Sequence, residues 1–197
     1  MKNLQEYINE SLLDGFDNID KSINIKLIIK KWILENIHLI YKLKISDDPN
    51  KDGKYEVSAD AVVSDKSLKF LTNNMFIWKK VGSFNCSCCD SLKSLEGAPE
   101  TVENNFDCSN CDSLTSLKGA PREVGHDFNC SCCDNLTSLK GAPREVGHDF
   151  DCSYCDNLTS LKGAPQKIGR NFCCYQQNNL KSYELPKNTK IKGNFIK

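Results

Sequence analysis

From Phe84 onward the apolar positions recur at a fixed step of 22 residues: Phe84, Phe106, Phe128, Phe150 and Phe172 form one column, and Leu92, Leu114, Leu136, Leu158 and Leu180 another. A period of this length marks a repeat array, in which each unit buries its apolar face against its neighbours. Within one unit the apolar or small positions are Phe106, Cys108, Cys111, Leu114, Leu117, Pro121 and Val124. The first interval of two suits a short strand, and the following intervals of three suit a chain that curls away from it. Gly97-Ala98-Pro99 and its copies then predict a turn that brings the chain back.

Upstream the pattern changes. Leu4, Ile8, Leu12 and Phe16, with Tyr7 alongside, predict a short amphipathic helix ending near Gly15, which defines an N-terminal amphipathic or targeting segment, 1–16. From Ile19 to Ile37 the positions Ile25, Ile28, Ile29, Trp32, Ile33 and Ile37 keep helical spacing, with Lys26, Lys30 and Lys31 between them. They predict an amphipathic helix that covers the first repeat, since an uncovered terminal strand invites pairing with other chains. Leu39, Tyr41, Leu43 and Ile45, then Tyr55, Val57 and Ala59, alternate with period two around Asp47–Gly53, predicting a β-hairpin. Helix and hairpin make a cap, 17–63, and the solenoid with its C-terminal cap occupies 64–197. Asp48, Asn50 and Asp52 alternate as at the start of a calcium loop, but Pro49 interrupts and no glutamate closes it, so a polar turn is expected. Residues 62–80 hold a degenerate repeat: Ser67–Leu71 aligns with Ser91–Leu95 at a step of 24, placing Val62 where Cys86 stands later, with Met75, Phe76 and Trp78 beneath the cap.

The segment Phe-x-Cys-x-x-Cys-x-x-Leu resembles the leucine-rich-repeat motif L-x-L-x-x-(N/C)-x-L, with Phe and Cys in place of Leu and one extra residue before the last leucine. The resemblance spans about residues 60–197. It implies an α+β chain: a short leucine-rich-repeat-like solenoid of 22-residue repeats, a parallel sheet on one face at ~4.8 Å per step, and an N-terminal helix and β-hairpin cap. It also places Cys89, Cys111, Cys133 and Cys155 at the family's asparagine-ladder position, beneath the turn. Leu-Thr-Ser-Leu-x-Gly-Ala-Pro is similar to a segment of phage and bacterial repeat proteins. The start, MKNLQEYINE, resembles the capsid-targeting peptides of internal head proteins in T-even-like phages, through Gln5, Glu6, Tyr7 and Ile8. That resemblance implies protease cleavage after Ile8-Asn9-Glu10, before Ser11, and a place in the bacterial cytoplasm or the phage virion.

Composition narrows the function classes. Lys and Arg total 26 and Asp and Glu total 26, so net charge favours neither nucleic acid nor an anionic membrane as partner. No apolar run reaches the ~18 residues of a membrane span, and Met1–Glu10 lacks a secretory core. All twelve cysteines lie in the repeats, mostly at equivalent positions, as core residues would, and an intracellular setting keeps them reduced. Cys86/Cys89, Cys108/Cys111, Cys130/Cys133 and Cys152/Cys155 have the spacing of zinc ligands, but stacked repeats hold equivalent cysteines in parallel columns instead of converging them. Gln177 replaces the second cysteine in the last such unit. Cys88, Cys132 and Cys173 fall at outward or turn positions and are the expected reactive thiols. No metal ligand and no cofactor is expected, and no catalytic constellation stands out, because His126 and His148 are repeat equivalents and not a paired acid and base.

The candidate binding face is the outward side of the strands. Asn85, Asp107, Asn129 and Asp151 form one column there, with Ser87, Ser109, Ser131 and Ser153 beside it and Asn110 next to them. A further column before the phenylalanines runs Ser83, Asn105, Asp127, Asp149, Asn171, and His126, His148, Arg170 and Tyr154 border the face. Lys118, Lys140, Lys162, Arg122 and Arg144 are expected to give the opposite side a basic ladder. The resulting expectation is a non-enzymatic protein–protein interaction module that docks a host or virion protein through this polar, acidic face. The alternatives are a packaged virion component with a cleavable address tag, and a zinc or redox protein built on the Cys-x-x-Cys ladder.

Overall fold

A computed structural model describes residues 21–64, 69, 71 and 76–197. The helix expected over Leu4–Phe16, the processing site at Ile8, Glu10 and Ser11, most of Ser67–Leu71, and Met75 lie outside the described residues. Helix α1 (Lys21–Asn36) leads into β1 (Ile37–Tyr41), β2 (Lys44–Ile45) and β3 (Tyr55–Ser64). Both β1 and β2 run antiparallel to β3, with Ile45 opposite Val57, which is the expected hairpin. The alternation does not hold at Tyr41, which is 55 % exposed: a register shift between Ile37 and Leu39 sets Ile40 opposite the buried Val62 and Tyr41 opposite Ala61, and Lys42, at φ 50°, ends the strand. The turn between the strands is held by its own polar groups. Asn50 Oδ1 accepts from the N–H of Asp52 and of Lys54, and the Ser46 hydroxyl donates to the Asp48 carbonyl.

On its other edge β3 pairs in parallel with β4 (Phe76–Asn85), so β3 is already the first rung of the stack. Val62 lies opposite Phe84, not at the level of Cys86. The step into this first turn is therefore 22, two residues shorter than the leucine alignment implied, because strand pairing follows the inward Val62 and Phe84. From β4 the sheet divides into two parallel ladders. One continues through β5 (Thr101–Val102), β7 (Glu123–Val124), β9 (Glu145–Val146), β11 (Lys167–Ile168) and β13 (Lys190–Ile191). The other continues through β6 (Phe106–Asp107), β8 (Phe128–Asn129), β10 (Phe150–Asp151), β12 (Phe172–Cys173) and β14 (Phe195–Ile196). Each turn thus contributes two short strands joined by a three-residue bend, where one strand was expected. The solenoid with 22-residue repeats is otherwise as the periodicity requires: equivalent residues lie opposite one another, Phe106 against Phe128 and Val124 against Val146.

Inside the coil the column residues stack on themselves. The rings of Phe84, Phe106, Phe128, Phe150 and Phe172 are fully or almost fully buried, with successive centroids 5.2–5.6 Å apart. Behind them lie Leu92, Leu95, Leu114, Leu117, Leu136, Leu139, Leu158 and Leu161, all buried. At the N-terminal end Ile29, Trp32 and Ile33 of α1 cover the coil. Trp32, Phe76, Trp78 and Phe84 meet edge to face at 5.3, 5.4 and 5.9 Å, carrying the aromatic column into the cap. Burying such rings contributes roughly 1.5–3 kcal/mol each, with edge-to-face contacts adding about 0.5–1.5 kcal/mol.

Two glycine positions set the shape of a turn. Gly97, Gly119, Gly141 and Gly163 have φ of 88–94°, which closes the return arc as the Gly-Ala-Pro segment required. Gly125, Gly147 and Gly169 occupy the bend between the ladders, where a Cβ would overlap the carbonyl oxygen of the turn before.

Candidate functional site

The outward positions of β6, β8 and β10 begin a turn as well as a face. Asp107 Oδ1 accepts the N–H of Ser109 at 2.9 Å, Asn129 Oδ1 that of Ser131 at 3.0 Å, and Asp151 Oδ1 that of Ser153 at 2.9 Å. Asn85 holds both the N–H and the hydroxyl of Ser87. A side-chain oxygen that accepts the N–H two residues along the chain curls it, and Asn and Asp do so more strongly than Ser or Thr. The curl carries Ser109 (6 % exposed) and Ser153 (0 %) under the surface. These two therefore do not belong to the outward face expected of them, whereas Ser131 is half-buried and Asn110 exposed.

The column before the phenylalanines is also structural. Asn105 Oδ1 accepts the N–H of Asp127 at 3.2 Å, Asp127 that of Asp149 at 3.0 Å, Asp149 that of Asn171 at 2.8 Å, and Asn171 that of Asn194 at 3.0 Å. Each side chain thus fastens the next turn. Asp127 and Asp149 keep a second carboxylate oxygen, but only asparagine, which makes the same bond at 105 and 171, can replace either without releasing a backbone donor. Next to them His126 and His148 stack at 4.5 Å, with ring planes 3° apart, and Arg170 follows one turn on.

The second cysteines form the expected ladder beneath the turn. Cys111 Sγ donates to the Cys86 carbonyl at 3.1 Å, Cys133 to Cys108 at 3.2 Å, and Cys155 to Cys130 at 3.2 Å. Gln177 Nε2 makes the same bond to Cys152 at 2.6 Å, which explains why glutamine can stand in that column. The first cysteines Cys108 and Cys130 donate to carbonyls of the following turn at 3.4 and 3.3 Å. Burial pushes the thiols of Cys86, Cys108, Cys130 and Cys152 well up, and those of Cys133 and Cys155 up as well. Among the described residues no three or more His, Cys, Asp and Glu side chains converge on a metal-ion position.

Cys88, Cys132 and Cys173 are the more accessible thiols, each half-buried. Accessibility does not make Cys132 or Cys173 a reactive nucleophile. Burial raises the Cys132 thiol, and burial with Asp151 and Asp149 nearby pushes Cys173 to about 11. Alkylation of Cys173 by iodoacetamide, followed by peptide mass spectrometry, is expected to keep accelerating beyond pH 10, because the thiolate is the attacking species. A rate that levels off below pH 9 would contradict this.

Cys88, Asn110, Cys132, Tyr154 and Gln176 share a left-handed backbone, φ 53–58°. Only Asn110 among them suits it. Cys132→Asn is expected to stabilise the chain by about 1 kcal/mol, read from the urea midpoint. A lower midpoint would show that the thiol makes contacts worth more than the strain.

The opposite side is mixed, not basic. Lys118 pairs with Glu96 at 2.6 Å, Lys167 with Glu145 at 3.0 Å, and Arg122 and Arg144 lie beside Glu123 and Glu145. Repeat stacking sets unlike charges from neighbouring turns side by side, which a per-residue count of lysines and arginines does not register.

Of the expected face, the structure brings together Asp107, Asn129, Asp151, Asn110 and Tyr154 on or beside the second ladder. Tyr154 is 42 % exposed and meets Tyr175 edge to face at 5.4 Å. Tyr175 went unnoticed because the last turn departs from the repeat motif there. Comparison with protein-family models, with curated proteins and with solved structures found no match to this chain.

Proposed function

We propose that the chain is a non-enzymatic protein-interaction module that docks a protein with a basic surface on the outward side of β6, β8, β10 and the turns that follow. The observation that carries this reading is the anchoring of Asn85, Asp107, Asn129 and Asp151, each tied to the N–H two residues on. Side chains held before a partner arrives lose little entropy on binding. Two of the four carry charge, and Tyr154 beside Tyr175 supplies the kind of exposed aromatic that anchors interfaces. The Leu-Thr-Ser-Leu-x-Gly-Ala-Pro repeats support a phage or bacterial origin, and with it a host or virion partner.

The test follows from the column itself. Asn at 85 and 129 makes the same turn, so Asp107→Asn with Asp151→Asn removes charge and keeps the fold. Affinity capture from the native host, repeated with this variant, is expected to lose most of the partner and to show a weaker salt dependence. Undiminished capture would place the binding surface elsewhere.

The first ten residues favour a second reading, a packaged virion component, through their likeness to capsid-targeting peptides. Intact-mass spectrometry of the protein from mature particles separates the two: a chain beginning at Ser11 supports packaging, and an unprocessed one removes it.

A further inference from the structure

We infer that Tyr154 and Tyr175 form an aromatic corner that takes one arginine or lysine side chain of the partner, with Asp151 as the counter-charge; the inference rests on the docking face proposed above. The two rings stand at 88° with centroids 5.4 Å apart. Planes at a right angle converge, so a single cation in the corner between them lies within about 6 Å of both centroids, the range over which an aromatic face attracts it. Tyr154 is exposed and Tyr175 half-buried, so solvent reaches both rings. Their backbones are joined by the bond from the Tyr154 N–H to the Tyr175 carbonyl, 3.1 Å, which fixes the attachment points before a partner arrives. Asp151 lies close enough to the Tyr175 phenol for its charge to push that group above its ordinary pKa. Its Oδ1 holds the Ser153 N–H at 2.9 Å, and among the described residues no basic side chain pairs with it.

The chain uses the same arrangement once on itself. Lys197 Nζ stands 5.5 Å from the centroid of Tyr183 and 5.1 Å from that of Phe195, against two rings 6.4 Å apart at 58°. No lysine or arginine among the described residues stands over Tyr154 or Tyr175 in this way. Packing does not call for either ring. Tyr175 occupies the position of Ser87, Ser109, Ser131 and Ser153, and Tyr154 that of Cys88, Asn110, Cys132 and Gln176, so the other turns close without an aromatic there. Arginine suits the corner better than lysine, because its flat guanidinium stacks on one ring while its N–H groups reach a carboxylate.

Fluorescence anisotropy of a labelled nona-arginine peptide, titrated with the reduced full chain, tests the corner. Salt is held at about 0.15 M, where exposed charges more than ~8 Å apart are largely screened. Residues taken from the same columns give a variant that keeps the fold, Tyr154→Asn with Tyr175→Ser. It is expected to bind the peptide about five- to thirty-fold more weakly, the worth of two exposed cation–π contacts, whereas Tyr154→Phe with Tyr175→Phe keeps both rings and stays within about two-fold of the native chain. Native affinity in the Asn/Ser variant overturns the inference, and so does an equal loss in the Phe variant, which would assign the contact to the hydroxyls. In either case a weakening by Asp107→Asn with Asp151→Asn leaves the acidic docking face standing without the corner. A peptide bound equally by all three variants, or not bound by the native chain, overturns both.

Discussion

Phe128→Ala is expected to destabilise the stack by about 3–5 kcal/mol and to split its unfolding into two steps. The ring is fully buried between Phe106 at 5.3 Å and Phe150 at 5.4 Å. Its removal leaves a cavity that fixed ladders on both sides cannot close. In a linear array each turn is stabilised by its neighbours, so a weak turn in the middle uncouples the two halves. The N-terminal half keeps the cap of α1 and the Trp32–Phe76–Trp78 cluster and should melt last. Thermal unfolding followed by circular dichroism checks this. A single transition displaced by less than about 1 kcal/mol would mean that the phenylalanine column is not what couples the turns.

Gly147→Ala is expected to cost more than about 3 kcal/mol, above the usual range for an added core methyl. Its Cβ would overlap the Gly125 carbonyl oxygen, and that atom belongs to a backbone held by the ladder on both sides of the bend. No side-chain rotation relieves the overlap. The column it belongs to reads Gly82, Glu103, Gly125, Gly147, Gly169, Lys192. Its two exceptions flank the regular part: Glu103 rests on β4, which runs through the bend as a continuous strand, and Lys192 lies in a turn of 23 residues, from Phe172 to Phe195. Thr115→Ala, on an exposed arc, is the matched control and should fall within about 0.5 kcal/mol of the native chain. Equal melting temperatures for the two variants would show that the turns can move apart at the bend.

The inner frame was legible because stacking repeats it: Phe at one column, Leu at two others and Gly-Ala-Pro at the turn each have one physical job per period. The second strand ladder was not. Glu123–Val124 and Glu145–Val146 are too short to alternate, and Val124 registered only as one more apolar position. The polar columns misled for a different reason. Asp127 and Asp149 read as part of an outward binding face, yet they hold N–H groups of the next turn, and hydropathy does not distinguish a partner or water from a backbone donor 22 residues away. A signal was available: from Asn105 through Asn171 that column contains only Asn and Asp, the residues that share a short side-chain oxygen. A purely solvated column would admit lysine, glutamate or serine as well. Ser109 and Ser153 were expected outward because their burial follows from the side chain two residues earlier, not from their own polarity.

The fastening of each turn by Oδ1 of the turn before has a consequence for how such a protein can change length. Phe106–Asp127 and Phe128–Asp149 begin and end at equivalent points of the ladders, and Asp127 offers Asn171 the same acceptor that Asp149 does. Excising one 22-residue unit in frame therefore leaves the ladder carbonyls, the second-cysteine thiols and the phenylalanine rings facing partners of the same kind, and breaks up only the His126–His148 stack. The number of turns is free to vary by duplication and loss, while the cap and the closing turn stay as they are, so the reach of the outward face can be altered without redesigning any contact within it.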